Sequence, residues 1–382
     1  CDDAVRDTTD LSNETDVQML VRAIFISVRE GDRGKHVRNA MEETARSARD
    51  AQASTFQSVF LNASAKAMEK GTFGDSSCFA LSRLVAIVAS TGKVEDDTTA
   101  KALETLARLR ARGRRVFSAK ALRAFAGDVG CDALLDKYLD LVKGGANTVL
   151  CALVGEMYAA AREFSKRDIG ETRRTLLQLY ADVVLNGDAK VVAAGVSAET
   201  CTAILGDITE DEMKDVLLPK MVRQLRRSPE AVLPIILNTL EGVKVDLSSS
   251  CAELGEVLIP LAKHADAARR DVSRRIIDML AANSADASLV KEHIFARCAA
   301  EFVAGKRPKE WTARVGLYDV IGLCSRINSR KDREALSANA IAILATEMAV
   351  DKQLDAKAAG LRALTTWLRH IAACPASIVT LI

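Results

Sequence analysis

Four histidines make up the imidazole inventory of the chain: His36, His264, His293 and His370. None stands in an HExxH pattern or in a Cys/His cluster at zinc spacing. His370 and Cys374 would share a helical face, but two ligands do not hold a metal. A phosphate cradle is missing too, because Gly34-Lys35 lacks the preceding GxxxxG and the strand of a P-loop. No GxSxG elbow or kinase-type loop occurs. The carboxylate clusters Asp96-Asp97 and Glu210-Asp211-Glu212 fall at predicted helix starts, where they complement the helix dipole. These residues predict no enzyme, no metal or other cofactor, and no small-molecule substrate.

The chemistry that remains is that of guanidinium groups. Arg108, Arg110, Arg112, Arg114, Arg115, Lys120 and Arg123 follow one another with no acid between them. Arg223, Arg226 and Arg227 end one predicted helix, and Arg269, Arg270, Arg274 and Arg275 begin another about one repeat later. Lys+Arg at 53 against Asp+Glu at 51 leaves only +2, so attraction to a polyanion must come from such local clusters. Planar guanidinium forks suit phosphates and carboxylates better than ammonium groups do. Arg226, Arg227, Arg269, Arg270, Arg274 and Arg275, with Arg112, Arg114 and Arg115, are the expected partner-contact residues, on helix ends expected to face solvent. The competing reading is a set of solvated helix ends whose cations complement the dipole. Aromatics at 4% leave little for base stacking.

The elements that must carry these groups are helices. Leu20, Val21, Ile24 and Val28 have the spacing of one buried helical face, and the pattern recurs over 81–88, 103–109, 134–142, 176–185 and 340–348. Alternating stretches such as Val243-Lys244-Val245 are too short for a sheet. With 49% hydrophobic residues the chain has ample core, and the fold class is all-α. The longest apolar run, 149–161, is broken by Glu156 and falls short of the roughly 20 residues that a bilayer span needs. Nine cysteines, evenly spread and unpaired in spacing, read as buried reduced thiols of a cytoplasmic protein. The acidic Cys1-Asp2-Asp3 start is unlike a signal peptide, and the ends at Cys1 and Ile382 lead us to expect a segment of a longer polypeptide.

A repeat is legible over 209–282. Leu217-Leu218-Pro219 and Leu258-Ile259-Pro260 recur ~41 residues apart, each predicted to close the first half of a helix. Thr209-Glu210-Asp211-Glu212 reads as a capping box, and Ser228-Pro229-Glu230 as an N-cap, a proline at the first helical position and a dipole-facing acid. Val232, Leu233, Ile236 and Leu240 are the predicted buried face of one helix. Leu258, Leu261, Val272 and Ile276 are predicted to meet inside the next pair, whose second helix also presents Met279 and Leu280. A helix pair of about 40 residues with this placement of Pro, Asp and Arg is the HEAT signature. One pair cannot bury its stripe alone, so residues 1–382 are expected to form a single HEAT/ARM-type α-solenoid of roughly nine pairs.

Three stretches carry a resemblance to a known family: 215–219 (Asp-Val-Leu-Leu-Pro), 225–232 (Leu-Arg-Arg-Ser-Pro-Glu-Ala-Val) and 245–248 (Val-Asp-Leu-Ser). Together with Leu176-Leu177-Gln178-Leu179-Tyr180 and Val184-Leu185 upstream, they resemble a segment of the very large eukaryotic HEAT-repeat translational activator of the general amino-acid control pathway. The similarity is clearest over about residues 170–290, and Val320-Ile321-Gly322-Leu323 echoes a glycine-containing apolar stretch of that family. The resemblance implies a cytoplasmic scaffold that binds stalled or collided ribosomes and helps activate the kinase phosphorylating the alpha subunit of initiation factor two. This chain would be its N-terminal region, associated with ribosome attachment, stalk region included, with kinase binding outside the segment and no catalytic residues to carry over. The rival readings are another HEAT scaffold (nuclear transport receptor or phosphatase scaffold) and a direct RNA-binding solenoid.

Overall fold

A computed structural model describes residues 96–111, 115–143, 148–185, 201–303 and 307–369. Every regular element among them is helical, and no strand occurs. The predicted helices over 18–29 and 81–88, and His36, His370 and Cys374, lie outside the described residues. The described residues fall into two compact units, which divide near Leu185 and Leu205.

The first unit contains α1 (Asp96–Ala111), α2 (Arg115–Val129), α3 (Cys131–Lys143), α4 (Val154–Phe164) and α5 (Ile169–Val183). A 3₁₀ turn, Thr148–Leu153, leads into α4, so the apolar run 149–161 becomes a buried turn and helix. α1 packs on α2 and on the 3₁₀ turn, α2 on α4, and α4 on α5. Gly130 is the single residue between α2 and α3, and its φ of 101° is a conformation that side chains resist. Leu103, Leu122, Phe125 and Tyr138 form part of the core, where the Tyr138 hydroxyl donates to the Leu150 carbonyl at 3.1 Å. Arg167 clamps Asp136 of α3 through both carboxylate oxygens, at 2.6 and 2.5 Å.

The second unit consists of stacked helix pairs of HEAT type. In the first, the segments Glu210–Glu212 and Met213–Leu217 run into α6 (Leu218–Arg227), followed by α7 (Pro229–Gly242). α8 (Cys251–Ala262) and α9 (Ala267–Asn283) form the second pair. In the third, a helical run of Ala287–Val290, Lys291–Phe295 and Ala296–Ala300 precedes α10 (Trp311–Leu323). α11 (Arg330–Val350) and α12 (Leu354–Leu368) form the fourth. The second helices stack in sequence, α7 on α9, α9 on α10 and α10 on α12, while α6 packs on α8 and α8 on the Lys291–Phe295 turn.

Local signals read from the sequence hold where they depend on close neighbours. Thr209 accepts from the Glu212 N–H at 3.2 Å and Glu212 accepts from the Thr209 N–H at 2.9 Å, completing the capping box. Pro229 opens α7, but the Ser228 side chain makes no capping bond there. Pro219 stands where the first half of its helical run ends and the second begins. The chain passes through a π turn at Met213–Leu217 and continues to Arg227, the wider turn giving room where the proline ring would crowd the carbonyl four residues back.

Val232, Leu233, Ile236 and Leu240 are buried as expected. The second pair departs from its expected register. Leu258 and Ile276 are in the core, but Leu261, Val272 and Met279 are only half-buried. The α8 face is made by Leu254, Leu258, Ile259 and Ala262, and the α9 face by Ser273, Ile276, Ile277 and Leu280. Each helix here touches its partner and also the pairs on either side, so its apolar stripe is broader and rotated from the one that a lone pair would need.

The described cysteines, Cys131, Cys151, Cys201, Cys251, Cys298 and Cys324, are free and buried. Burial pushes Cys131, Cys151 and Cys251 up to about 11 and Cys298 up to about 12. Thiolate, the reactive form, is therefore scarce at neutral pH. Native protein incubated with iodoacetamide at pH 8 should leave these six unmodified by peptide mass spectrometry, and guanidinium should expose them together. Rapid native labelling of Cys298 would contradict the packing.

Candidate functional site

Within the second unit, the turns joining the first helix of each pair to the second lie along one edge. Glu230 at the start of α7 pairs with Arg269 at the start of α9. The Lys263 ammonium after α8 meets Glu301 at 2.7 Å. Arg314, early in α10, meets Asp351, just before α12, at 2.6 Å. Such side-by-side placement follows from helices stacking in parallel layers, about 10 Å apart.

Of the expected arginines, Arg226, Arg227, Arg269 and Arg270 lie at this edge and Arg274 and Arg275 about two turns further along α9, and most of them bridge neighbouring pairs. Arg226 of α6 reaches Glu256 of α8 at 3.1 Å. Arg275 of α9 reaches Glu241 of α7, also at 3.1 Å. Arg274 joins Asp319 of α10 and Asp271 one turn earlier. Arg270 donates to the His264 and Ala265 carbonyls at 2.8 and 2.5 Å, closing the turn between α8 and α9. Asp266 caps that helix by accepting from the Arg269 N–H at 3.0 Å. Arg227 and Arg223 are exposed, on the same face of α6 as Arg226. The solvent-facing ends expected from the sequence are therefore part scaffold and part free surface.

In the first unit, Arg110 is buried against Glu156 and Arg123 pairs with exposed Glu163. Arg112 and Arg114 lie outside the described residues, and Arg115 is the first residue of α2.

Two groups escaped sequence reasoning. One is a buried polar hub at the fourth pair. Arg314 grips both oxygens of Asp351 at 2.6 and 2.9 Å and donates to the Pro308 and Lys309 carbonyls. Arg307 reaches Asp351 at 3.1 Å, the Tyr318 hydroxyl donates at 3.3 Å, and the Gln353 N–H at 3.0 Å. Burial pushes the Asp351 carboxyl up, but hydrogen bonds from Arg314 and Gln353, with the charges of Arg314 and Arg307, hold it down to about 2. The second group is the pair Lys309 and Lys352, both exposed in successive turns of the edge. Lys309 ends the short basic run Lys306-Arg307-Pro308-Lys309, and Lys352 stands alone after Asp351. Their spacing of about one repeat was the available signal.

A second polar clasp lies at the opposite turns. Asp246 accepts from the Ser248 N–H and hydroxyl and from the Ala285 N–H, at 3.0, 2.7 and 2.8 Å. The Asp286 N–H in turn donates to the Ser248 hydroxyl at 2.8 Å. The Val245-Asp246-Leu247-Ser248 motif thus joins two successive interhelical loops. Among the described residues, no three His, Cys, Asp or Glu side chains converge as a metal would require, and no helix is long and apolar enough to cross a membrane. What the arrangement offers chemically is a stack held by ion pairs, with a surface of mixed charge on which Arg223 and Arg227 are exposed.

Residues 173–307 match the family described as the stalled ribosome sensor GCN1 N-terminal region. The chain is 25% identical to the protein ILITYHIA of Arabidopsis thaliana over 241 residues, 62% of this chain and 9% of that protein. It is 28% identical over 131 residues to the stalled ribosome sensor GCN1 of Mus musculus, covering 34% of this chain and 5% of that protein. With the human sensor of the same name the identity is 24% over 168 residues, 43% of this chain and 6% of that protein. The chain therefore spans less than a tenth of the length of these relatives. The matched segment contains the capping box, the loop clasp and the first helix pairs of the second unit, and over that part of its length the chain is similar to the N-terminal region of the stalled ribosome sensor GCN1.

Proposed function

We propose that this chain is a non-enzymatic, cytoplasmic scaffold segment that attaches to stalled or collided ribosomes. Through regions outside the segment, it would help activate the kinase that phosphorylates the alpha subunit of initiation factor two. The supporting observation is the coincidence of the matched stretch 173–307 with the stacked pairs that carry the expected arginines. Residues 1–382 are read as one continuous solenoid segment of a longer chain. Arg226, Arg227, Arg269, Arg270, Arg274 and Arg275 are the proposed contacts, with Arg112, Arg114 and Arg115 as a further cluster; the partner is ribosomal RNA or a ribosomal protein.

The ion pairs decide how this is tested. Reversing Arg226 or Arg269 places two acids together, at Glu256 or Glu230, and would disturb the stack as well as the surface. Arg223→Glu with Arg227→Glu avoids both and should leave the helical circular dichroism unchanged. We expect this double variant to weaken cosedimentation with stalled ribosomes. Its salt dependence should flatten by ~0.7–0.9 in log–log slope for each phosphate that is no longer neutralised. If the variant pellets like the parent at every salt concentration, the edge is not the ribosome contact.

A further inference from the structure

The corner between α6 and α7 carries a hydroxyl with no structural task. Ser228 stands just before α7, yet its side chain makes no capping bond, and its backbone (φ −147°, ψ 64°) has left the helix. Comparable hydroxyls in the second unit are engaged. Thr209 and Ser329 accept from N–H groups of the helices that they start, and the Ser248 and Ser288 hydroxyls donate to Asp246 and Asp286. From Arg226 to Ala231 every side chain is exposed except half-buried Pro229, so no core group lies within this stretch.

The residues around the hydroxyl are chemically distinctive. Ser228-Pro229 is the one place in the chain where a proline follows Ser or Thr. Proline has no N–H. A kinase site with no acceptor for the residue after the serine therefore loses nothing here, whereas any other residue would leave it an unpaired donor. Two arginines precede the serine, and Arg223 lies one turn back on the same face of α6. The nearby acids are engaged, Glu256 by Arg226 at 3.1 Å and Glu230 by Arg269.

We propose that Ser228 is a phosphorylation site of a proline-directed kinase, and that its phosphate cancels the cationic surface of Arg223, Arg226 and Arg227. The hydroxyl oxygen attacks the γ-phosphorus of ATP and the bond to the β-phosphate oxygen breaks. ADP leaves, and the hydroxyl proton passes to the carboxylate base of the kinase. The product carries a charge of about −2 at neutral pH, beside guanidinium groups suited to bind it. Opening the end of α6 and the first turn of α7 is enough to present the serine, and helix ends open at low cost. That the phosphate weakens attachment rests on the ribosome reading above; the modification itself does not.

The test treats the full chain, and a synthetic peptide of residues 222–235, with a proline-directed kinase of the mitogen-activated class and MgATP. Peptide mass spectrometry should place phosphate on Ser228 of the native chain, at a rate within about tenfold of the peptide's. Pro229→Ala should slow this at least about tenfold. Ser228→Ala should abolish it and melt like the parent, because the hydroxyl caps nothing. The phosphorylated chain should leave a heparin column at lower salt than Ser228→Ala treated in the same way. It should also cosediment with stalled ribosomes as weakly as the variant with Arg223→Glu and Arg227→Glu. The proposal fails if the native chain is not phosphorylated at Ser228, whether or not the peptide is, or if the modified chain keeps the parent's heparin elution. It fails equally if the double arginine variant pellets weakly while the phosphorylated chain pellets like the parent. If the double variant itself pellets like the parent, the ribosome reading falls, and the phosphate mapping and heparin elution still decide on Ser228.

Discussion

Gly316→Ala is expected to destabilise the second unit by about 3 kcal/mol, in spite of alanine's better helix propensity. Gly316 lies in α10, and a Cβ built there would sit 1.9 Å from the Ala262 carbonyl oxygen and 2.8 Å from its carbon. Both obstacles are backbone, so no rotamer relieves the overlap. α10 and the end of α8 must move apart, loosening the packing through which the third pair rests on the second. Gly127 in α2 is the internal control, because a Cβ there meets only the Phe164 ring at an ordinary 3.5 Å. Gly127→Ala should be neutral or stabilise by up to about 1 kcal/mol through propensity alone. Urea unfolding of both variants measures the contrast, with an unchanged m-value showing that the same surface is exposed. A Gly316→Ala variant as stable as the parent would mean that the two helices do not cross this closely.

The opposite signs expected for two helical glycines show what the sequence conveys and what it does not. Helical periodicity and the Thr209–Glu212 box are local, formed by residues at most a few turns apart, and they were legible. Gly316 and Gly322 were not, beyond the apolar stretch in which Gly322 stands, because the residues that require a glycine, Ala262 and Ala363, come from neighbouring pairs. The arginines illustrate the same limit. The acids that Arg226, Arg269 and Arg275 meet stand 30 to 39 positions away, about one repeat, and Arg274 adds to its near neighbour Asp271 a second acid, Asp319, 45 positions away. A repeat protein hides its ion pairs at the repeat spacing, where a reading confined to one helix cannot find them. Arg227, without such a partner at one repeat's distance, keeps the free-surface character that the sequence suggested for the whole cluster.

Asp351→Asn, an isosteric change, should destabilise the second unit by about 3–5 kcal/mol. The side chain keeps its shape but loses the charge that balances buried Arg314 and half-buried Arg307. An amide can also accept at only one of its two ends, so the two-pronged grip of Arg314 is broken. The hub joins α10, α11 and the turn into α12, so its failure should propagate to Tyr318 and to Phe302 stacked on it.

The same carboxylate makes stability depend on pH in a defined direction. Its folded pKa of about 2 lies below the ordinary carboxylate value, so its contribution is complete above about pH 4 and is lost as pH falls towards 2. The size of that loss in the parent is about 2–3 kcal/mol. Asp246 and Asp136, also held below the usual range by their hydrogen bonds, titrate in the same direction, so the parent's acid sensitivity is not due to Asp351 alone. Subtraction isolates it: between pH 5 and 2 the Asp351→Asn variant should lose less stability than the parent by about 2 kcal/mol, starting from a lower level. Parallel urea midpoints for parent and variant across that range would show that the Arg314–Asp351 contact does not carry the charge balance of the fourth pair.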